Sequence, residues 1–91
     1  MHLEFTETAW NDFEYWLEKD PLIVKKIKEL IKSILRTPFE GKGNPEPLRH
    51  DYKVCWSRRI NSEHRLVYKI TEESGENQKC IILQCRFHYD K

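Results

Sequence analysis

The spacing of apolar residues changes once along this chain, and that change limits the folds it can adopt. Between Ile23 and Leu35 apolar residues recur every three or four positions, as on one face of an α-helix. From about Leu48 onward they alternate with polar residues, as in strands with one buried face. The segment "TPFEGKGNPEP" lies between the two patterns and holds three of the four prolines. It is predicted to be a loop that joins a helical half to a sheet.

Two helices are predicted before this loop, after a short strand in "HLEFT" with Leu3 and Phe5 on one face. Thr6 or Thr8 can cap the first helix, whose apolar residues are Trp10, Phe13, Trp16 and Leu17. Asp20 and Pro21 suit the N-cap and the first turn of the second helix, whose apolar residues are Ile23, Ile27, Leu30, Ile31, Ile34 and Leu35. Because the intervening turn is very short, the helices should pack as an antiparallel hairpin. The lysine-rich opposite face of the second helix is interpreted as a solvated surface or, alternatively, as a partner or nucleic-acid face.

Three strands are predicted after the loop, in "YKVCWSRRI", "HRLVYKI" and "KCIILQCRFHY". A tight turn in "NSE" joins the first two, and a longer loop, "TEESGENQ", precedes the last. A helical hairpin followed by an antiparallel sheet, with one strand added from the N-terminus, is an α+β fold. We expect residues 1–91 to form a single domain.

Composition narrows the class of protein. Hydrophobic residues make up 38% and charged residues 34% of 91, which is typical of a soluble globular chain. The sequence has neither an apolar run of bilayer length nor a leader-like start, so we expect a cytoplasmic protein without a membrane partner. The three cysteines form no CxxC pair and are expected to be reduced thiols rather than a metal site or a nucleophile. We expect no metal and no cofactor.

Alternation along the strands groups the side chains into two faces. The apolar set of the last strand would be Ile81, Leu83, Cys85 and Phe87, with Phe87 anchored in the core. A single bulge would break this alternation, and Arg58 already falls on the apolar side. The other face would gather basic and polar residues: Lys53, Ser57, Arg59, Arg65, Lys69, Gln84, Arg86 and His88.

The basic face has two interpretations. It can be an ordinary solvated sheet surface. Against that, Lys53, Arg59, Arg65 and Lys69 have no acidic residue interleaved, although like charges across strands repel. An anion bound there would relieve the repulsion, and the planar arginine side chain suits phosphate.

Three motifs, "TPFEGKGNPEPL", "WSRRINSEHRLVY" and the terminal "CRFHY", resemble those of the YoeB (Txe) toxins of the RelE superfamily. The resemblance runs over nearly the whole chain. It implies a RelE-like α+β fold and the toxin of a bacterial type II toxin–antitoxin pair. The implied activity is that of a metal-independent endoribonuclease that cleaves messenger RNA in the ribosomal A site and so inhibits translation.

The resemblance also assigns roles by position. Glu46, in the loop segment "NPEPL", would be the general base, and His88 the general acid. Arg65 would bind the phosphate with help from Arg59. Tyr89 would hold the substrate base or phosphate, and Arg49, where the family more often has Lys, would support binding. Asp90 and Lys91 extend beyond the family's usual His-Tyr ending.

The implied partners are a cognate antitoxin, whose binding segment is disordered when free, and messenger RNA on the ribosome. The toxin would also form a homodimer and reach operator DNA only through its antitoxin, as a corepressor. The rival hypothesis is a non-catalytic module that binds RNA or an acidic protein with the same basic face.

Overall fold

The computed structural model describes residues 1–48, 55–73 and 75–88. Its elements follow the predicted order of a strand, two helices and a sheet, which confirms the α+β class. They are β1 (His2–Phe5), α1 (Glu7–Lys19), α2 (Pro21–Arg36), β2 (Glu46–Pro47), β3 (Cys55–Arg59), β4 (Arg65–Ile70) and β5 (Lys79–Gln84), with a 3₁₀ turn at Gly75–Asn77. No helix in the described ranges is long and apolar enough to cross a membrane.

Local side-chain chemistry sets where both helices begin. Thr6, rather than Thr8, caps α1, because its Oγ1 accepts a hydrogen bond from the backbone N–H of Ala9 at 3.1 Å. Asp20 ends α1 and caps α2, since its Oδ1 accepts from the N–H groups of Leu22 (3.1 Å) and Ile23 (3.4 Å). Because one residue serves both helices, the hairpin turn is as short as predicted.

The five strands form one mixed sheet in the order β1-β5-β4-β3-β2. The pairs β2–β3, β3–β4 and β4–β5 are antiparallel, and β1 lies parallel to β5. The helical hairpin packs on one face of the sheet and forms the main core with Ile60, Leu66, Tyr68, Cys80 and Ile82. This arrangement leaves β2, and the residues it carries, at one edge of the sheet.

The buried stripe of each helix differs in part from the predicted one. Ala9 and Trp16 are the buried residues of α1, whereas Trp10 is 46% exposed and Leu17 51% exposed. In α2, Val24 is buried and Leu35 is 37% exposed. A two-helix layer covers only one face of a small sheet, so each helix buries a narrower stripe than its apolar pattern indicates.

A β-bulge in β5 reverses part of the predicted face assignment. Val67 pairs with Gln84 but Tyr68 pairs with Ile82, which leaves Leu83 as the extra residue. As a result Ile82 faces the helices and Leu83 packs on the opposite face, where it contacts a small apolar cluster of Leu48, Cys55 and Val67. The predicted orientation of Ile81 and Leu83 was therefore wrong, whereas the alternation in β4 is confirmed.

All three cysteines are buried free thiols, as expected for reduced cysteines. Burial raises the pKa of Cys80 and the pKa of Cys85, each to about 12. It also raises the pKa of Cys55, against the opposing effect of the nearby Lys69. Thiols held in the protonated form are poor nucleophiles.

Candidate active site

Two arginines face each other across the central strands at one end of the sheet. Arg59 is the last residue of β3 and pairs directly with Arg65, the first residue of β4. Side chains directly opposite in an antiparallel pair have Cβ atoms about 4.5–5.5 Å apart, so these two cationic side chains begin close together. Within residues 1–48, 55–73 and 75–88, the acid–base side-chain contacts are the Lys79–Glu4 ion pair and the 4.0 Å approach of His64 to Glu63, and neither includes these arginines.

The turn between β3 and β4 fixes the position of Arg65. Asn61 Oδ1 accepts hydrogen bonds from the backbone N–H groups of Glu63 (2.9 Å) and His64 (2.8 Å). Arg65 Nη1 in turn donates to the carbonyl oxygens of Asn61 (2.9 Å) and His64 (3.2 Å). The predicted tight turn is confirmed, and it orients the guanidinium through two backbone acceptors.

Glu46 lies on the edge strand β2 and not in a loop, so that part of the prediction was wrong. It pairs with Ser57, and Pro47, which has no N–H to donate, pairs with Trp56. Residues that pair across two strands share a face of the sheet, and so do alternate residues of one strand. Glu46 pairs with Ser57, which alternates with Arg59, so Glu46 lies on the same face as Arg59. Diagonal neighbours of this kind lie about 7–8 Å apart, within reach of two long side chains.

A buried arginine holds the loop that leads to Glu46. Arg58 was predicted to fall on the apolar face of its strand, and it lies there with a side chain that is 0% exposed. All five of its N–H donors are used. Nε donates to Tyr68 Oη (3.2 Å), Nη1 to Ser33 Oγ (2.8 Å) and the Lys42 carbonyl (3.0 Å), and Nη2 to the Thr37 (2.8 Å) and Glu40 (3.0 Å) carbonyls. The guanidinium thus ties the 37–42 backbone to α2 and β4.

β5 ends at Gln84 because side chains of α1 form hydrogen bonds with the N–H and the carbonyl of the next residue, Cys85. The N–H of Cys85 donates to Asp12 Oδ2 at 3.0 Å, and its carbonyl accepts from Trp16 Nε1 at 2.8 Å. The strand predicted over "KCIILQCRFHY" therefore ends at Gln84. Burial raises the pKa of the Asp12 carboxyl, and the Cys85 N–H and the charge of Arg86 oppose that rise.

The segment after β5 turns back onto the start of β4. Phe87 was predicted to lie in the core, and that prediction was wrong, because its side chain is 57% exposed. Its φ is +67°, a left-handed conformation that is uncommon for a bulky residue. Its carbonyl accepts from the N–H of Arg65 at 3.0 Å, and its N–H donates to His64 Nδ1 at 2.6 Å. Before it, Arg86 stacks over the ring of Tyr15, with Cζ 3.5 Å from the ring centroid.

Four of the six predicted site residues lie in the described ranges. Arg59 and Arg65 are opposite each other, Glu46 is on the neighbouring edge strand, and the exposed His88 directly follows the residue that bonds Arg65. Arg49 and Tyr89 lie outside the described residues. In those same ranges no group of three or more His, Cys, Asp or Glu side chains is placed to hold a metal ion.

Sequence reasoning missed the residues that hold the site. Arg58 was noted only as an anomaly, and Asp12, Trp16 and His64 were given no role. One signal was present, since an arginine on the apolar face of a strand must find buried acceptors. The others had no local signal, because their partners lie 23 to 73 positions away in sequence.

The fold and the paired arginines define a small α+β protein with a cationic end of its sheet, formed by Arg59 and Arg65. A family model described as "YoeB-like toxin of bacterial type II toxin-antitoxin system" matches residues 5–89. The chain therefore belongs to the family of YoeB-like toxins of bacterial type II toxin–antitoxin systems, which confirms the resemblance seen in the sequence.

Individual relatives agree with this membership. Toxin YoeB of Escherichia coli (strain K12) is 55% identical over 89 residues, which is 98% of this chain and 100% of that toxin. A YoeB/ParE toxin structure from Agrobacterium tumefaciens is 48% identical with a TM-score of 0.94, over 98% of this chain and 100% of that one. YoeB of Staphylococcus aureus was solved as a dimer (40% identical, TM-score 0.86) and in a heterotetrameric YoeB–YefM complex (40%, 0.84), each over 98% of both chains.

Proposed function

We propose that this toxin is an endoribonuclease that cleaves messenger RNA in the ribosomal A site without a metal ion. The observation that carries the proposal is the direct opposition of Arg59 and Arg65 with no acidic ion-pair partner in the described ranges. Arginines at directly opposed positions repel each other, and an anion bound between them would relieve that repulsion. A phosphodiester is an anion whose oxygens match the arginine fork.

The proposed reaction uses the substrate's own 2′-hydroxyl as the nucleophile. Glu46 removes its proton, the 2′-oxygen forms a bond to the adjacent phosphorus, and the bond from phosphorus to the leaving 5′-oxygen breaks. His88 gives a proton to that 5′-oxygen, and imidazole is suited to proton exchange near neutral pH. Arg65 and Arg59 stabilise the additional negative charge on the phosphorane, a contribution that is often the largest. Tyr89 and Arg49 are proposed to contact the substrate.

The position of each group supports its role. Glu46 lies on the edge strand, where an extended RNA strand could reach it, and shares a face with Arg59. Arg65 is oriented by two carbonyl groups of its own turn, which lowers the entropy lost on binding a phosphate. His88 follows a residue whose N–H and carbonyl are both hydrogen-bonded, so its backbone is anchored on one side.

We further propose that the toxin pairs with a cognate antitoxin and forms a homodimer. The YoeB–YefM complex and the YoeB dimer of the S. aureus relative support this proposal. An antitoxin segment that covers the cationic end of the sheet would be acidic and could be disordered when free.

The activity is tested with purified toxin and ribosomes stalled on a defined message. The variants Glu46→Gln, Arg65→Met and His88→Gln should each lower the single-turnover cleavage rate, by roughly 10²- to 10⁴-fold for the two proton-transfer groups. Glu40→Gln and His2→Gln, at exposed positions elsewhere, are the matched controls and should cleave like the parent. Parental rates in all three test variants would overturn the assignment.

The same assay separates the enzyme from the binding module. Cleavage should persist in a chelator concentration that leaves the ribosomes intact. A parent protein that binds the stalled ribosome but leaves the message whole would instead support a module that binds without cutting.

A further inference from the structure

His64 accepts a hydrogen bond from the backbone of Phe87, the residue just before the proposed general acid. Its Nδ1 accepts the N–H of Phe87 at 2.6 Å, and the next residue, Arg65, donates its own N–H to the Phe87 carbonyl at 3.0 Å. Both backbone polar groups of Phe87 are therefore held by two consecutive residues, His64 just before β4 and Arg65 at its start. Since Nδ1 accepts, the neutral ring carries its proton on Nε2, which faces Glu63 Oε1 at 4.0 Å.

The His64 ring is itself held in place. Its side chain is 15% exposed, and it packs edge-on against Trp16 with ring centroids 4.8 Å apart. Trp16 in turn donates to the carbonyl of Cys85, two residues before Phe87. The ring is thus part of a packed cluster that also fixes the incoming chain, so its Nδ1 has little freedom to move.

The backbone conformation of Phe87 is unfavourable by itself, so other contacts must stabilise it. A φ of +67° is unfavourable for a phenylalanine, because its Cβ then crowds the following backbone carbonyl. The ring is 57% exposed, so burial in the core does not offset this cost. The Phe87 N–H donates to His64 and its carbonyl accepts from Arg65, and both bonds hold the turn together with Gln84 Nε2, which donates to the Arg86 carbonyl at 3.1 Å. The turn decides where the next residue, His88, begins.

We propose that His64 is a positioning residue for the reaction, acting through the Phe87 turn to aim His88 at the leaving oxygen. The inference rests on the proposed function, because it assumes that His88 transfers the proton. His64 itself contacts the chain and not the substrate. A misplacement of about 1 Å in a reacting group can lower a rate on the order of 100-fold, so loss of the Nδ1 acceptor should be visible in the chemical step.

Two substitutions separate the acceptor from the ring. His64→Phe keeps an aromatic ring against Trp16 but has no acceptor, whereas His64→Asn places an amide oxygen near the Nδ1 position and loses the ring. We expect the saturating single-turnover rate on ribosome-bound message to fall on the order of 10- to 100-fold in His64→Phe, with the half-saturating toxin concentration nearly unchanged. His64→Asn should recover most of that rate. His2→Phe, at an exposed histidine of β1, should match the parent.

A second readout does not depend on activity. In ¹H–¹⁵N spectra the Phe87 amide should be protected from hydrogen exchange in the parent and in His64→Asn, and lose that protection in His64→Phe. Equal losses of rate in both variants would show that ring packing, not the acceptor, matters, and would overturn the inference. So would a parental rate in His64→Phe. A parent that cleaves no message would defeat the proposed function, while the Phe87 amide would still report whether His64 holds the turn.

Discussion

Arg58→Lys is expected to destabilise this toxin severely, although the substitution keeps the charge. The Arg58 guanidinium is fully buried and uses all five donors on five acceptors. A lysine ammonium has three donors, so at least two acceptors lose their partner. Each buried polar group left unpaired costs about 1–3 kcal/mol.

The expected loss follows from this count. Two unpaired acceptors give about 2–6 kcal/mol, and because the Nη1 and Nη2 bonds are only part-buried, water should reduce the loss to about 2–4 kcal/mol. A domain of this size has a free energy of unfolding of about 5–15 kcal/mol. With a urea dependence of about 1–3 kcal/mol per molar, the unfolding midpoint should fall by about 1 M or more.

The assay is urea unfolding followed by tryptophan fluorescence, at one protein concentration because the stability of the proposed homodimer would depend on it. Arg59→Lys is the matched control, since the neighbouring arginine is exposed and its change should stay within about 0.5 kcal/mol. A parental midpoint for Arg58→Lys would refute the view that this guanidinium holds the 37–42 loop.

Three further predictions follow from burial and backbone conformation. Gly43→Ala should lower the unfolding midpoint in urea, because φ there is +84° and the added Cβ would lie 2.8 Å from a Leu30 methyl and 3.1 Å from Arg58 Cβ; a parental midpoint would contradict this. Asp12 has a raised folded pKa, so its contribution to stability is full below its usual value of 3.8 and is lost as the pH rises through the folded pKa. In urea titrations the stability of the parent relative to Asp12→Asn should therefore fall as the pH rises from below 3.8 through the folded pKa, and a difference that does not change with pH would be the contrary result. The three buried cysteine thiols should react with a disulfide reagent at pH 8 only after unfolding in urea, and rapid labelling of the native protein would argue against their burial.

The parts of the fold that local chemistry decides could be predicted from the sequence. Thr6 and Asp20 cap their helices through groups two or three residues away, and the Asn61 turn is equally local. Alternation in β4 also predicted correctly that Leu66 and Tyr68 face the helices. These features depend on neighbours that a short stretch of sequence already contains.

Features that depend on distant partners could not be predicted. The bulge at Leu83 and the end of β5 follow from contacts with β4 and α1, and a single extra residue is enough to reverse the side chains before it. The exposed, left-handed Phe87 results from the same contacts, because Asp12 and Trp16 divert the chain at Cys85. The candidate residues of the site were named by resemblance, whereas the residues that hold them were visible only in three dimensions.

The central claim is that the substrate's own 2′-hydroxyl attacks the phosphorus, with protein groups alone moving the protons. The most direct measurement uses a ribosome-bound message with a single 2′-deoxynucleotide on the 5′ side of the bond that the toxin cuts. We predict that cleavage at that position is abolished, and that the all-ribose message yields a cyclic or terminal phosphate on its 3′ end and a 5′-hydroxyl. Cleavage of the deoxy-substituted message at the parental rate, or products with a free 3′-hydroxyl, would contradict the proposed mechanism.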